Sequence, residues 1–156
     1  MEKNKKEIQF RIQGIREQEF FISNRDFEGI DLNKMNYELS ISIQYKWNLD
    51  SDSFGIFMDI FLVKSKTDKL KILQYKSITD FQVKKLKECI KVDPKDKTYT
   101  MNHILEINLV SITYSSARGA LYEKTKSSIP GGLILPLVIM NNFLSKGRKV
   151  KIVPED

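Results

Sequence analysis

TYTMNHILEINLVSITYSSARGALY, residues 98–122, decides the fold, because its apolar residues answer to two periods at once. Leu105, Ile107 and Leu109 alternate as in a strand, while the whole stretch suits a helix, and its length favours the helix. Read so, it carries one apolar stripe at Met101, Leu105, Leu109 and Ile112 and another at Ile107, Val110, Tyr114 and Leu121. At about 100° per residue, Leu105 and Ile107 lie nearly on opposite sides, so both faces ask for cover. The chain's own sheet takes one face and a partner subunit the other.

Upstream of this helix the pattern is one of strands. Ile8, Phe10 and Ile12 alternate with Gln9, Arg11 and Gln13 from Glu7 to Gly14, and Phe20 to Ile22 form a second, short apolar cluster before the loop formers of Asn24 to Asn33. The clearest strand covers residues 36–47, with Tyr37, Leu39, Ile41, Ile43, Tyr45 and Trp47 on one face and polar residues on the other. After the polar turn Asn48 to Ser53, Phe54 to Val63 and Leu70 to Phe81 read as two more strands joined by the loop Lys64 to Lys69. Gln82 to Ile90 has the spacing of a short helix, ended by the charged, Pro94-containing stretch Val92 to Lys97.

Downstream, Ser127, Ser128, Pro130, Gly131 and Gly132 mark a turn that leads into the apolar run Leu133 to Leu135 and Leu137 to Met140. A short helix at Asn141 to Ser145 and a basic tail follow, in which Val150, Ile152 and Val153 suit an edge strand. The expected architecture is one α+β domain over residues 1–156, with flexible basic ends at 1–6 and 146–156.

Composition narrows the function classes. The 41% hydrophobic and 29% charged content is that of a globular chain, and no apolar run is long enough for a bilayer. The N-terminus lacks the apolar core of a secretion signal, which points to the cytoplasm. Cys89 is the single cysteine, so neither an internal disulfide nor a cysteine metal site is available, and no cofactor is expected. The net charge of +6 is unevenly spread: nine acids and three bases over residues 17–60, then eleven lysines and five acids over 61–97. Such halves suit self-association through complementary patches as well as they suit polyanion binding.

Catalytic chemistry finds no foothold. The lone His103 has no Ser or Cys arranged beside it, and nucleophile elbow, phosphate loop and zinc-protease motifs are all missing. Asn48, Asp50, Asp52 and Asp59 match positions of a calcium loop, but Ser53 stands where glycine is needed and the flanks are strands. The lysines of 64–97 lack a recognised nucleic-acid motif. What is left is a surplus of apolar residues: Phe20, Phe21, Phe27, Trp47, Phe54 and Phe57, with Leu133, Ile134 and Leu135 in the loop. Each alone suits a core, but two helices cannot cover the whole sheet, so some apolar surface remains for an oligomer contact or a bound chain.

The order of these parts resembles the family of the export chaperone SecB. The resemblance is carried by IQFRIQGI (Ile8 to Ile15) with Phe20-Phe21, by the three strands from Asn36 to Phe81, and most specifically by SSARGALYEKTKSSIPGGLILPLVIMNNFL. In the last, Arg118-Gly119 is taken to close the long helix, before a proline-containing apolar loop and a short terminal helix. The resemblance implies a four-stranded antiparallel sheet with one long and one or two short helices on one face. It further implies edge-strand pairing into a dimer or dimer of dimers, with Ile8, Phe10, Ile12, Leu105, Leu109 and Ile112 at the contacts. Unfolded polypeptide would bind without ATP in apolar grooves, by position at Trp47, Phe54, Phe57, Leu133, Ile134 and Leu135. The alternative is one dedicated client, as for SecB-like proteins beside toxin–antitoxin pairs. The family is typically acidic where it docks on the translocation ATPase, whereas this chain is basic and ends KGRKVKIVPED. Nucleic acid is the least favoured partner, and membrane insertion is not expected.

Overall fold

The structure is a computed structural model that describes residues 7–23, 38–63, 71–129, 131–135, 137, 140, 144, 150 and 151. The expected loops at Asn24 to Asn33 and Lys64 to Lys69, Phe27, most of the terminal helix and most of the basic ends lie outside them. Strands β1 (Phe10–Ile22), β2 (Glu38–Asn48), β3 (Ser53–Val63) and β4 (Lys71–Val83) form an antiparallel sheet in the order β1-β4-β3-β2. The turn between β2 and β3 is set by Asn48, whose side-chain oxygen accepts from the amides of Asp50 and Ser51.

β1 corrects the expectation of two separate strands. It runs unbroken for 13 residues, with register irregularities between Ile12 and Gly14 and between Glu17 and Glu19. Each extra residue resets the alternation, so that Ile12, Ile15, Glu17 and Phe20 all share the face of Phe81, Thr79, Ser77 and Tyr75 on β4. A strict period-2 reading loses the strand at the first of these irregularities.

The short helix expected at Gln82 to Ile90 shrinks to α1 (Leu86–Cys89), because Gln82 and Val83 remain paired in β4. Asp52 accepts from the amides of Lys85 and Leu86 and so starts the helix late. The stretch that was expected only to end that helix is instead a hairpin, β5 (Ile90–Asp93) and β6 (Thr98–Met101), turned through Pro94 with the Asp93 carboxylate accepting from the Lys95 amide. β7 (Val150–Lys151) pairs with β6 and completes a second sheet, ordered β5-β6-β7, where an edge strand was expected from Val150.

The long helix α2 spans His103–Thr125 and not 98–122. Thr98 to Met101 follow the alternation of a strand, and Asn102 caps the helix by accepting from the Leu105 amide. Arg118-Gly119 therefore lies inside α2 and does not close it. The two stripes also prove to be one broad face: Leu105, Leu109, Val110, Tyr114, Ala117 and Leu121 are all buried within the chain, while Ile107 and Ile112 are half-buried. The core lies between this face and Phe54, Ile56, Met58, Ile60, Leu73, Tyr75 and Phe81 of the sheet. Two tethers set the helix across the sheet: the Tyr45 hydroxyl on β2 donates to Glu106, and Lys124 pairs with Glu17 on β1.

Candidate functional site

Among the described residues β2 is an edge of the main sheet, with no strand beside it on the side away from β3. Its helix-side row of Leu39, Ile41, Ile43, Tyr45 and Trp47 is half-buried throughout, between exposed or half-buried polar residues. At about 3.3 Å per residue this row runs roughly 27 Å, enough for an extended segment of about nine residues. Here apolar side chains and a sheet edge lie together among the described residues, the combination that accepts an added strand.

Aromatic rings anchor one end of the row. Trp47 stacks on Phe54 at 6.4 Å between centroids and meets Tyr99 of the hairpin edge-on at 4.3 Å. Tyr45 touches both Phe54 and Tyr99, and its hydroxyl lies 2.7 Å from the largely buried Glu106 carboxylate. The hydrogen bond holds the first turn of α2 over β2.

The segment after α2 folds back on the helix. The buried Thr125 hydroxyl accepts from the Leu133 amide at 2.7 Å, and Arg118 donates to the Leu135 carbonyl at 3.0 Å. Gly131 and Gly132 make the reversal with φ of +80° and +71°, and a Cβ on Gly132 would lie 2.8 Å from the Tyr122 ring. Leu133 and Leu135 are thereby driven into the core, while Ile134 is 71% and Leu137 83% exposed.

The six residues expected to bind polypeptide consequently do not form one patch. Trp47 is half-buried on the helix side and Phe54 lies buried beneath it. Phe57 stands 37% exposed on the opposite face of the sheet, beside Gln44 and Ile78. Phe54 and Phe57 are three residues apart on one strand, and an odd separation sends them to opposite faces. Leu133 and Leu135, buried in the core, offer no open surface, and Ile134 alone of its loop trio points outward.

The expected contact residues divide in the same way. Ile8 and Phe10 are half-buried and Ile12 is 47% exposed, whereas Leu105 and Leu109 belong to the chain's own core and Ile112 is half-buried. Ile15, 48% exposed on the face of Ile12, and Ile104, 68% exposed in the first turn of α2, were missed. Glu7, Ile8, Phe10, Asn102, Ile104, Leu105 and Asn108 line a groove of about 600 Å³. The irregularities of β1 hid Ile15, and Ile104 fell between the two stripes.

Across the sheet's outer face, Arg16 pairs with Asp80 at 2.9 Å and Lys76 with Glu19 at 2.7 Å, and Arg11 and Lys46 add positive charge. The face is mixed in charge and not acidic. Among the described residues no helix is long and apolar enough to cross a membrane.

No protein-family model matches the sequence, and no curated protein does. Among solved structures the chain is similar to the Mycobacterium tuberculosis Rv1957 SecB-like chaperone, solved in complex with a ChAD peptide from the Rv1956 HigA1 antitoxin. The TM-score is 0.57 at 13% identity, over 83% of this chain and 89% of that one. The likeness is one of fold: a four-stranded antiparallel sheet with a long and a short helix, of SecB-like α+β type.

Proposed function

We propose that this chain is a non-enzymatic, ATP-independent holder of unfolded or partly folded polypeptide. The observation that carries the reading is the β2 edge, where a half-buried apolar row lies on a strand that pairs, among the described residues, only with β3. An extended client segment laid along β2 gains main-chain hydrogen bonds and buries alternate side chains against Leu39, Ile41, Ile43 and Trp47. Ile134 and Leu137 supply further exposed apolar surface. The SecB-like fold supports this reading, and the antitoxin peptide bound to the similar structure favours a second form of it, in which one dedicated client replaces many.

Self-association fits a second set of surfaces, at the opposite edge of the sheet. Ile12, Ile15 and Ile104 leave apolar area open along the β1 edge and the start of α2. Gly119, inside α2, would place an added Cβ in open space, so nothing among the described residues requires a glycine there. A helix-interior glycine costs about 1 kcal/mol relative to alanine. Close approach by a second copy gives that cost a use, in a dimer or dimer of dimers. Docking on a translocation ATPase through an acidic sheet face has no support from the outer face described above.

The test is suppression of aggregation. At near-stoichiometric ratio and without ATP, the protein should keep several chemically denatured clients soluble, and Ile41→Asp with Ile43→Asp should remove the effect. A protein that protects none of them and captures no partner from its host refutes both forms.

A further inference from the structure

The hairpin β5–β6 carries a charge pattern that the client-holding reading does not use. Lys91, Lys95 and Lys97 are exposed, and among the described residues none of their ammonium groups has a carboxylate or hydrogen-bond partner. Lys87 and Lys85, close by in sequence, are paired with Asp50 and Glu88, so their charge is already met. Lys91 and Lys95 line a recess of about 480 Å³ with Val92, Asp93, Pro94, Thr98 and Thr100. The Asp93 carboxylate is engaged with the turn amides of Lys95 and Asp96.

The hairpin that carries these lysines lies at the end of the apolar row. Trp47, the last apolar residue of the row, meets Tyr99 at 4.3 Å, and Tyr99 pairs across the hairpin with Val92, the neighbour of Lys91. Lys91 is the chain neighbour of Val92, and Lys95 and Lys97 belong to the turn of the same hairpin, so all three stand on the element that Trp47 packs against. A segment that leaves the row past Trp47 therefore passes the hairpin that carries these three lysines.

Resting on the client-holding reading, we propose that the hairpin lysines select client segments in which an apolar, alternating stretch is flanked by acidic side chains. Carboxylates just beyond the apolar stretch meet Lys91, Lys95 and Lys97, while basic flanks are repelled. An acidic peptide suits this surface better than a nucleic acid. The three cations share the hairpin with Asp93 and Asp96, which oppose a continuous phosphate track but leave one or two peptide carboxylates a place to dock.

The experiment uses the full chain and four labelled peptides with one alternating apolar core: acidic flank at the N-terminus, acidic flank at the C-terminus, neutral flanks and basic flanks. Anisotropy titrations should show one acidic peptide binding about fivefold to tenfold tighter than the neutral one, as expected for three exposed charge contacts. The basic peptide should bind more weakly than the neutral one. In Lys91→Gln with Lys95→Gln and Lys97→Gln, the acidic advantage should fall to within about twofold while neutral-peptide affinity stays unchanged. Circular dichroism checks that this variant is folded, as exposed lysines should allow. A neutral peptide that fails to bind overturns the groove itself. A neutral peptide that binds with no acidic advantage, or an advantage that survives the triple variant, overturns the selection. Tighter, lysine-dependent binding of a single-stranded oligonucleotide overturns it in favour of phosphate. A fall in molar mass of the triple variant overturns it in favour of a contact between copies.

Discussion

Replacing Thr125 by valine should loosen the segment after α2 while leaving the helix intact. The Thr125 hydroxyl is fully buried; it donates to the Leu121 carbonyl at 2.7 Å and accepts from the Leu133 amide at 2.7 Å. Valine keeps the shape and removes both bonds. The Leu121 carbonyl retains its helical partner, but the Leu133 amide is left buried without an acceptor, which costs about 1–3 kcal/mol. At about 2 kcal/mol and roughly 2–4 °C per kcal/mol for a chain of this size, Tm should fall by about 4–8 °C. Thr113→Val is the internal control, since Thr113 is equally buried on the same helix and only donates, to the Leu109 carbonyl at 2.9 Å. It should cost about 0.5 kcal/mol or less, because that carbonyl stays bonded in the helix. Denaturant titration gives the two stabilities, and hydrogen exchange reads the Leu133 amide directly. Equal costs for the two variants, or undiminished protection of the Leu133 amide in Thr125→Val, would refute the reasoning.

Tyr45→Phe should destabilise by about 1 kcal/mol, the typical net worth of one part-buried hydrogen bond, and Trp47 fluorescence should report the unfolding. An unchanged midpoint would show that Glu106 is satisfied without it. Gly119→Ala should stabilise the separate chain by about 1 kcal/mol yet weaken self-association, read by calorimetry and light scattering over a concentration series. Unaltered association would remove that helix stripe from the contact. Burial first, and then Glu17, raises the Tyr75 phenol above its usual 10.0, and burial raises that of Tyr114. The folded chain holds these protons more tightly than the unfolded one, so their stabilisation is complete below pH 10.0 and is lost as pH rises through the raised values. The denaturation midpoint should therefore fall above about pH 10, and Tyr75→Phe with Tyr114→Phe should flatten that fall. A slope unaffected by the pair of substitutions would contradict the assignment.

Periodicity made the main sheet legible where alternation was unbroken. β2, β3 and β4 follow the period of two closely enough that their expected bounds differ from the observed ones by one or two residues. β1 was only half legible, because two irregularities shift its apolar face and a period count sees two short pieces. The hairpin β5–β6 was missed, since four-residue strands are too short to establish a period, although Pro94 and Asp93 marked its turn. The candidate residues show the same division. Trp47, Ile12 and Ile134 fall on partly or fully exposed surface, whereas Leu105, Leu109, Leu133 and Leu135 are core, and composition cannot separate a greasy surface residue from a greasy core one.

By itself, then, the sequence determined the α+β class, the antiparallel run of strands and the long helix, all of which follow from local spacing of apolar residues along the chain. Only the tertiary structure decided which apolar residues stay uncovered. α2 lies across the sheet between the Tyr45 and Lys124 tethers and leaves the edge rows of β1 and β2 part-exposed, while Thr125 and Arg118 turn alternate residues of the following segment inward. These are relations between elements far apart in the chain, and exposure depends on what packs above a residue as much as on the residue itself.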